Sequence, residues 1–297
     1  MYGELRSPNV HEPKNMTEYT NTVINYRDSI ANLWSGGTYI MNQKDFYPSN
    51  SPNIELISLG AMEELKHFQR NDRYAEFGAM VNLNDVATAG KLVLPKILLD
   101  AIKSTACRLV RDQITIGGAL CTPTFRTSIA STLMILDSTV ELRYMGKNRM
   151  HSKWFHISRL YDKNGQLAMP KGALLTKVRI GIQQHDFHLF QSVGSPFLTP
   201  TESVTLAAIG KLEQNSISNA RLIITLPQLG FCCYRDIDNT LSSLQIPIDQ
   251  NRFSSFESYI FSYIKDNIGV ISHLQEARLK GMLQELMVQL NQQILSL

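Results

Sequence analysis

The chain has 297 residues, enough for one large or two modest domains with cores of their own, and its 43% hydrophobic and 19% charged composition is that of a globular protein. Its formal charge of +3 comes from scattered Lys and Arg, not a basic stripe, so a nucleic-acid partner is not indicated. No apolar run is long enough to span a bilayer and the polar stretch Met1–Asn15 has no apolar centre like that of a secretory signal, so a cytoplasmic protein without a membrane partner is expected.

In chain order, a helical stretch begins after Met16, where Tyr19, Val23, Ile24 and Tyr26 give an imperfect apolar face. Asn32-Leu33-Trp34 reads as a short strand running into Gly36-Gly37. Pro48, Asn50, Ser51, Pro52 and Asn53 form a breaker cluster that predicts a surface loop. Ile54-Glu55-Leu56-Ile57 follows as a strand of alternating polarity. Further strands are predicted near Tyr74–Phe77 and Ile114–Ile116, and helices near Leu94–Lys103 and Ser128–Leu136. In the last of these Ile129, Leu133 and Leu136 recur at helical intervals, with Thr127 or Ser128 as N-cap.

Beyond Lys177, Ser203–Lys211 and Arg221–Thr225 read as strands of an antiparallel sheet. The chain closes on an amphipathic helix with Leu279, Met282, Leu283, Leu286, Leu290 and Ile294 on one side. That side suits a domain core or a bundle seam, and an exposed partner-binding helix is the other option. Cys107, Cys121, Cys232 and Cys233 have no metal-ligand spacing, so buried free thiols are expected rather than a cluster or a structural zinc. His185 and His188 flank Asp186 without a third spaced ligand, which reads as a surface cluster. No P-loop, G-x-S-x-G or G-x-G-x-x-G opening a Rossmann unit is present, so hydrolase and kinase readings have no support.

Two segments carry the strongest signal. Each places two residues without Cβ after an apolar stretch, an arrangement that lets backbone N–H groups converge on an anion. They are Ser35-Gly36-Gly37-Thr38-Tyr39-Ile40 and Arg111-Asp112-Gln113-Ile114-Thr115-Ile116-Gly117-Gly118-Ala119-Leu120. Between them lies Phe77-Gly78-Ala79-Met80-Val81-Asn82-Leu83-Asn84-Asp85, and after them come Leu136-Asp137-Ser138-Thr139-Val140-Glu141-Leu142 and Ser218-Asn219-Ala220-Arg221-Leu222. In order and spacing these resemble the FAD-binding medium subunit of the molybdenum hydroxylases, the group of carbon monoxide, xanthine and quinoline oxidoreductases. The family's motifs read A-G-G-T-x-L, I-G-A-x-V-x-L-x-D, R-N-x-T-I-G-G-N-L and L-D-A-x-V-x-L.

The resemblance implies an α+β chain of the vanillyl-alcohol-oxidase and carbon monoxide dehydrogenase flavoprotein type. Two α/β subdomains over 1–59 and 60–176 would bind FAD, and a C-terminal flavoprotein domain over 177–297 would add an antiparallel sheet with helices. It also implies a role as a flavin-dependent oxidoreductase subunit. Electrons would pass from the iron-sulfur clusters of a small subunit through FAD to a terminal acceptor, with substrate hydroxylated at a molybdopterin-binding large subunit. Carried over to this sequence, Ser35, Gly36, Gly37 and Thr38 form one cradle and Thr115, Ile116, Gly117 and Gly118 the other. Trp34 and Tyr39 are candidate apolar walls, with ordinary core packing the favoured alternative, and no catalytic acid, base or metal ligand is required of this chain. Two positions depart from the pattern: Ala119 replaces the family's asparagine, and Ser128 stands where its aspartate would be, with Arg126 nearby as either a solvated surface residue, the favoured reading, or a charge for the diphosphate. Gln191–Pro196 replaces a K-x-x-R-type signature, which leaves no residue assigned to the flavin from that side. Two alternatives stay open: a degenerate, non-catalytic assembly protein of the same fold, and a stand-alone FAD-dependent oxidoreductase.

Overall fold

Three sheets organise the protein in a computed structural model that describes residues 9–26, 31–42, 55–122, 127–146, 149–162, 165–170, 172–213 and 215–294. The first sheet comprises β1 (Asn9–His11), β2 (Ala31–Trp34) and β3 (Glu55–Ser58), all parallel, in the order β1-β3-β2. Helix α1 (Met16–Asn25) lies in the connection from β1 to β2, and the short α2 (Thr38–Met41) follows β2. Asn15 caps α1 by accepting from the Glu18 amide, as the N-cap rule expects.

The second sheet is antiparallel, in the order β4-β5-β8-β6-β7, from β4 (Phe68–Arg70), β5 (Tyr74–Gly78), β6 (Thr139–Met145), β7 (Met150–His156) and β8 (Leu174–Gly181). Between β5 and β6 the chain makes α3 (Leu83–Gly90), α4 (Lys96–Thr105), α5 (Arg108–Arg111), α6 (Ile116–Leu120) and α7 (Ser128–Ile135). The third sheet, also antiparallel, runs β12-β11-β10-β9 from β9 (Phe187–Val193), β10 (Val204–Glu213), β11 (Ser216–Leu226) and β12 (Gly230–Cys232). Helices α8 (Arg235–Ser242), α9 (Gln250–Asn267) and α10 (His273–Ile294) close the chain. Strand β8 runs across residue 177 and lies between β5 and β6 in the second sheet.

Three apolar clusters hold these layers, and each boundary is crossed by named side chains. Leu174 of β8 joins Tyr19, Ile57, Met62 and Leu65 around the first sheet. Along β10 successive residues alternate between cores: Leu206 and Ala208 pack on the C-terminal helices, Ala207 and Ile209 on the core of the second sheet. A strand buried on both faces needs a continuous apolar run, which Val204–Ile209 supplies apart from Thr205. In α10 the predicted stripe is core, with Leu279, Met282, Leu283, Leu286 and Leu290 all fully or nearly buried; the Ile294 side chain lies outside the described residues.

Four local expectations are corrected. Ile24 is 49% exposed, because the buried face of α1 is Met16, Tyr19 and Thr20. Strand β3 does not alternate: as the middle strand it buries Glu55, Leu56 and Ile57 in succession. The Glu55 carboxylate is satisfied by donors from neighbouring β1, Asn9 Nδ2 at 3.0 Å and His11 Nε2 at 2.7 Å. Ile114–Ile116 is no strand: Thr115 makes a single bridge to Asn82, and helix α6 starts at Ile116. Cys232 alone of the thiols is fully buried, Cys121 being half-buried and Cys107 and Cys233 exposed. The breaker cluster of Pro48–Asn53 and residue Arg126 lie outside the described residues.

On the outer face of β5, Glu76 is 3% exposed and accepts from Lys177 Nζ at 2.8 Å, Arg179 Nη2 at 2.9 Å and Gln69 Nε2 at 2.6 Å. The Arg179 guanidinium lies over both the Tyr74 ring, at 4.2 Å, and the Trp154 ring, at 3.9 Å. Burial raises the Glu76 carboxyl, but the hydrogen bonds from Lys177 and Arg179 and the Lys177 charge outweigh it, and the group titrates below its ordinary range. A carboxyl lowered by folding stabilises the native state above its unfolded pKa, about 4.3, and that stabilisation is lost as pH falls through the folded value. Glu76→Gln is therefore expected to lower unfolding free energy by about 2 kcal/mol at pH 7. In urea titrations the gap to wild type should shrink steadily below about pH 4; a gap constant down to pH 3 would contradict the assignment.

Candidate functional site

A cavity of about 850 Å³ opens where the three layers meet. One wall is the turn from β2 into α2, another is α6 with the start of α7, and a third follows β9. Leu167, Met169 and Ala173–Leu175 also line it. The volume is in the range of small-molecule and cofactor sites.

The two glycine pairs sit on adjoining walls of this one cavity and touch each other. A Cβ on Gly36 would overlap the backbone carbonyl of Gln113, and one on Gly118 would lie 2.8 Å from both Ser35 Oγ and Thr115 Oγ1. Gly37 has φ +72°, which favours glycine, and a Cβ there would lie 2.5 Å from the Trp34 ring. The Thr115 hydroxyl spans the junction, accepting from the Gly118 amide at 3.0 Å and donating to Ser35 Oγ at 3.2 Å.

The backbone donors of the two loops differ. The amides of Ile116 and Gly117 donate to the Val81 and Ala79 carbonyls, that of Gly118 to the Thr115 hydroxyl and that of Ala119 to the Thr115 carbonyl. The second pair thus lies inside a short helix capped by Thr115, with its amides engaged. In the first loop the amides of Gly36, Gly37 and Thr38, all on the cavity wall, find no acceptor among the described residues. Every backbone N–H is an obligatory donor, so these three are amides on the wall still free to meet a partner in the cavity.

Of the residues singled out from sequence, Ser35, Gly36, Gly37, Thr38, Tyr39, Thr115, Gly117, Gly118 and Ser128 line the cavity together. Trp34 lies against Gly37 and is not in the lining, and Ile116 is core at 1% exposure. Ser128 Oγ stands 3.5 Å from Thr105 Oγ1 at the N-terminus of α7. Thr127 caps that helix through the Ala130 amide and donates to the Ala119 carbonyl, which ties α7 to α6. Sequence reasoning missed the third wall: Ser192 and Gly194–Leu198 line the cavity from the segment left without an assignment. Its Gly194-Ser195-Pro196 breaker cluster was the available signal.

Among the described lining residues none is Asp, Glu, Lys, Arg or His. Cys121 faces the cavity 3.7 Å from Met169 Sδ, and burial pushes its thiol up to about 12, leaving it neutral. Outside the cavity, His188 Nε2 lies 3.7 Å from Asp100 Oδ2 and Asp186 accepts from the Leu212 amide. No group of three or more His, Cys, Asp or Glu is placed to hold a metal ion among the described residues. Among them, too, no helix is long and apolar enough to cross a membrane.

Comparison with known proteins bears on this geometry. Residues 5–181 match the family described as the FAD binding domain in molybdopterin dehydrogenase. No curated protein matches the chain in sequence. Among solved structures, a chain of quinoline 2-oxidoreductase from Pseudomonas putida 86 superposes with a TM-score of 0.77 at 16% identity, covering 98% of this chain and 99% of that one. A chain of carbon monoxide dehydrogenase from Hydrogenophaga pseudoflava, lacking the Mo-pyranopterin moiety, gives 0.74 at 14% identity, covering 97% and 98%. A Cu,Mo-CO dehydrogenase chain gives 0.71 at 15% identity, covering 97% and 96%. At such identities the likeness establishes the α+β fold.

Gly36→Ala forces the two loops apart and is expected to lower the melting temperature by roughly 5 °C. Gly181→Ala, where a Cβ meets nothing within 4 Å, is the matched control and should leave it unchanged. Equal melting temperatures for the two variants would contradict the loop contact.

Proposed function

Because the chain belongs to the family of FAD-binding domains of molybdopterin dehydrogenases, we propose that it is the flavin-holding subunit of a molybdenum hydroxylase-type oxidoreductase, with FAD in the cavity between the glycine loops and the third wall. The observation that carries this reading is the set of unspent amides at Gly36, Gly37 and Thr38. Converging N–H groups are what a diphosphate takes when no cation is at hand, and the described lining offers none. The N-terminus of α7 adds about 0.3–1 kcal/mol of favourable potential for negative charge.

Side chains complete the fit. Ser35 Oγ accepts from Thr115, which leaves its own hydrogen for an acceptor in the cavity. The hydroxyls of Ser128, Thr105 and Thr122 suit a polyhydroxyl chain, and Tyr39, Met169, Leu175 and Phe197 suit the faces of a planar ring system. Bound FAD supplies the electron-transfer chemistry, and the polypeptide's part is to hold the cofactor, orient it and screen it from water. In the complex we place this chain between an iron-sulfur small subunit and a terminal acceptor, with molybdopterin on a large subunit. The family description and the Cu,Mo enzyme among the solved relatives support that placement. So do this chain's cysteines, which stand apart before α5, after α6 and at β12.

Purification from a flavin-fed host tests the reading. The expected product is yellow, carries about one FAD per chain, and gains about 2.7 kcal/mol of stability at a free FAD concentration a hundredfold above Kd. A colourless protein with no thermal response to FAD would instead identify a degenerate assembly protein of the same fold. Reduction of the bound flavin by a small donor without any partner would identify a stand-alone oxidoreductase. Ser35→Ala is expected to weaken FAD binding about three- to tenfold in calorimetry.

A further inference from the structure

The third wall of the cavity belongs to a ten-residue connection, 194–203, joining antiparallel neighbours β9 and β10. Hairpin loops are usually two to five residues long, so this connection is a long one. Its first half, Gly194–Leu198, lines the cavity. Leu198 is 80% exposed, while Pro196 and Phe197 beside it are half-buried. Hydrogen bonds to Ser195 and Thr199 fold the connection on itself, and its second half is tied from behind by the start of α10.

Ser272 and Gln275 form a reciprocal cap on that helix. The Gln275 amide donates to Ser272 Oγ at 3.2 Å, and the Ser272 amide to Gln275 Oε1 at 3.1 Å. Both residues spend their remaining donors on the connection: Ser272 Oγ on the Thr201 carbonyl at 2.9 Å, Gln275 Nε2 on those of Ser203 at 3.1 Å and Pro200 at 3.5 Å. One turn on, Arg278 Nη1 donates to the Glu202 carbonyl. Four successive carbonyls, those of residues 200–203, are thus held by three side chains from the cap and first two turns of one helix. At the root, Gly194 has φ +87°, and a Cβ there would come within 2.9 Å of Arg278 Nη1 and 3.0 Å of Ser203 Cα. Glycine at 194 lets the connection close onto Arg278.

We propose that Ser272, Gln275 and Arg278 are positioning residues for cofactor retention: the capped start of α10, over its first two turns, holds the third wall against the cavity and so sets how tightly FAD stays bound. This rests on the FAD reading above. None of the three lines the cavity, so their effect on the cofactor passes through the connection alone.

Arg278 is half-buried and its substitution spares the helix cap, so Arg278→Ala is the test variant and Arg278→Lys its conservative partner. In Arg278→Ala the FAD Kd is expected to rise about tenfold through faster dissociation, with the melting temperature of the FAD-free protein unchanged. Limited proteolysis of the FAD-free protein should cut within 195–202 several-fold faster, and Arg278→Lys should recover most of both effects. A wild-type Kd in Arg278→Ala, or a raised Kd matched by an equal loss of FAD-free stability, would overturn the proposal. If wild-type protein binds no FAD, the functional reading fails by itself and the retention role fails with it; faster cleavage in Arg278→Ala would then still establish the brace, and unchanged cleavage would remove that as well.

Discussion

The contact between Gly36 and the backbone at Gln113 is the constraint from which the rest of the site follows. With a side chain at 36 the turn after β2 could not lie on the segment before α6, and the cavity would lose the junction of two of its walls. The same closeness places Ser35 Oγ within hydrogen-bonding range of Thr115, whose hydroxyl in turn receives the Gly118 amide. A short polar chain therefore runs from the helix cap of one loop to the rim of the other. Each bond in such a chain polarises the next, and its last hydroxyl belongs to Ser35, on the cavity wall.

The glycine pairs look alike in sequence but have different tasks. Gly117 and Gly118 belong to a helix that packs closely, Gly117 against Ala79 and Gly118 under Ser35, and their amides bond within the protein. Gly36 and Gly37 shape a turn whose amides find no acceptor among the described residues, and these are the donors we propose for the cofactor. Binding by peptide N–H groups in a cavity without ionised side chains among its described lining suits a cofactor that must be held across a range of pH, because the donors do not titrate. The surrounding layers keep these groups in place: Leu174 joins the first sheet to the second, Ala207 and Ile209 join the second to the third, and the start of α10 braces the remaining wall.

Much of this was legible in the residue pattern. The stripe of Leu279–Leu290, the Thr127 cap, the strands at Asn32–Trp34 and Tyr74–Phe77 and the pairing of the two glycine segments all follow from local periodicity or turn chemistry, and the structure contains them. The failures have a common source. Ile114-Thr115-Ile116 has β-branched residues that suggest a strand, but Thr115 spends its hydroxyl on capping, and tertiary contact decides for helix. Glu55 reads as an outward residue until β1 supplies Asn9 and His11 as partners. For the third wall the breaker cluster Gly194-Ser195-Pro196 signals a turn but not where it packs, and the partners that hold it, Ser272, Gln275 and Arg278, lie some seventy residues further along the chain.

Backbone hydrogen exchange with and without FAD tests the central claim most directly, because it reads the donors themselves. If the leftover amides of the first loop hold the diphosphate, FAD should slow exchange at Gly36, Gly37 and Thr38 strongly, while Gly117 and Gly118, already bonded within the protein, change little. Saturating FAD with unprotected amides at 36–38, or with new protection confined to 117–118, would contradict the account.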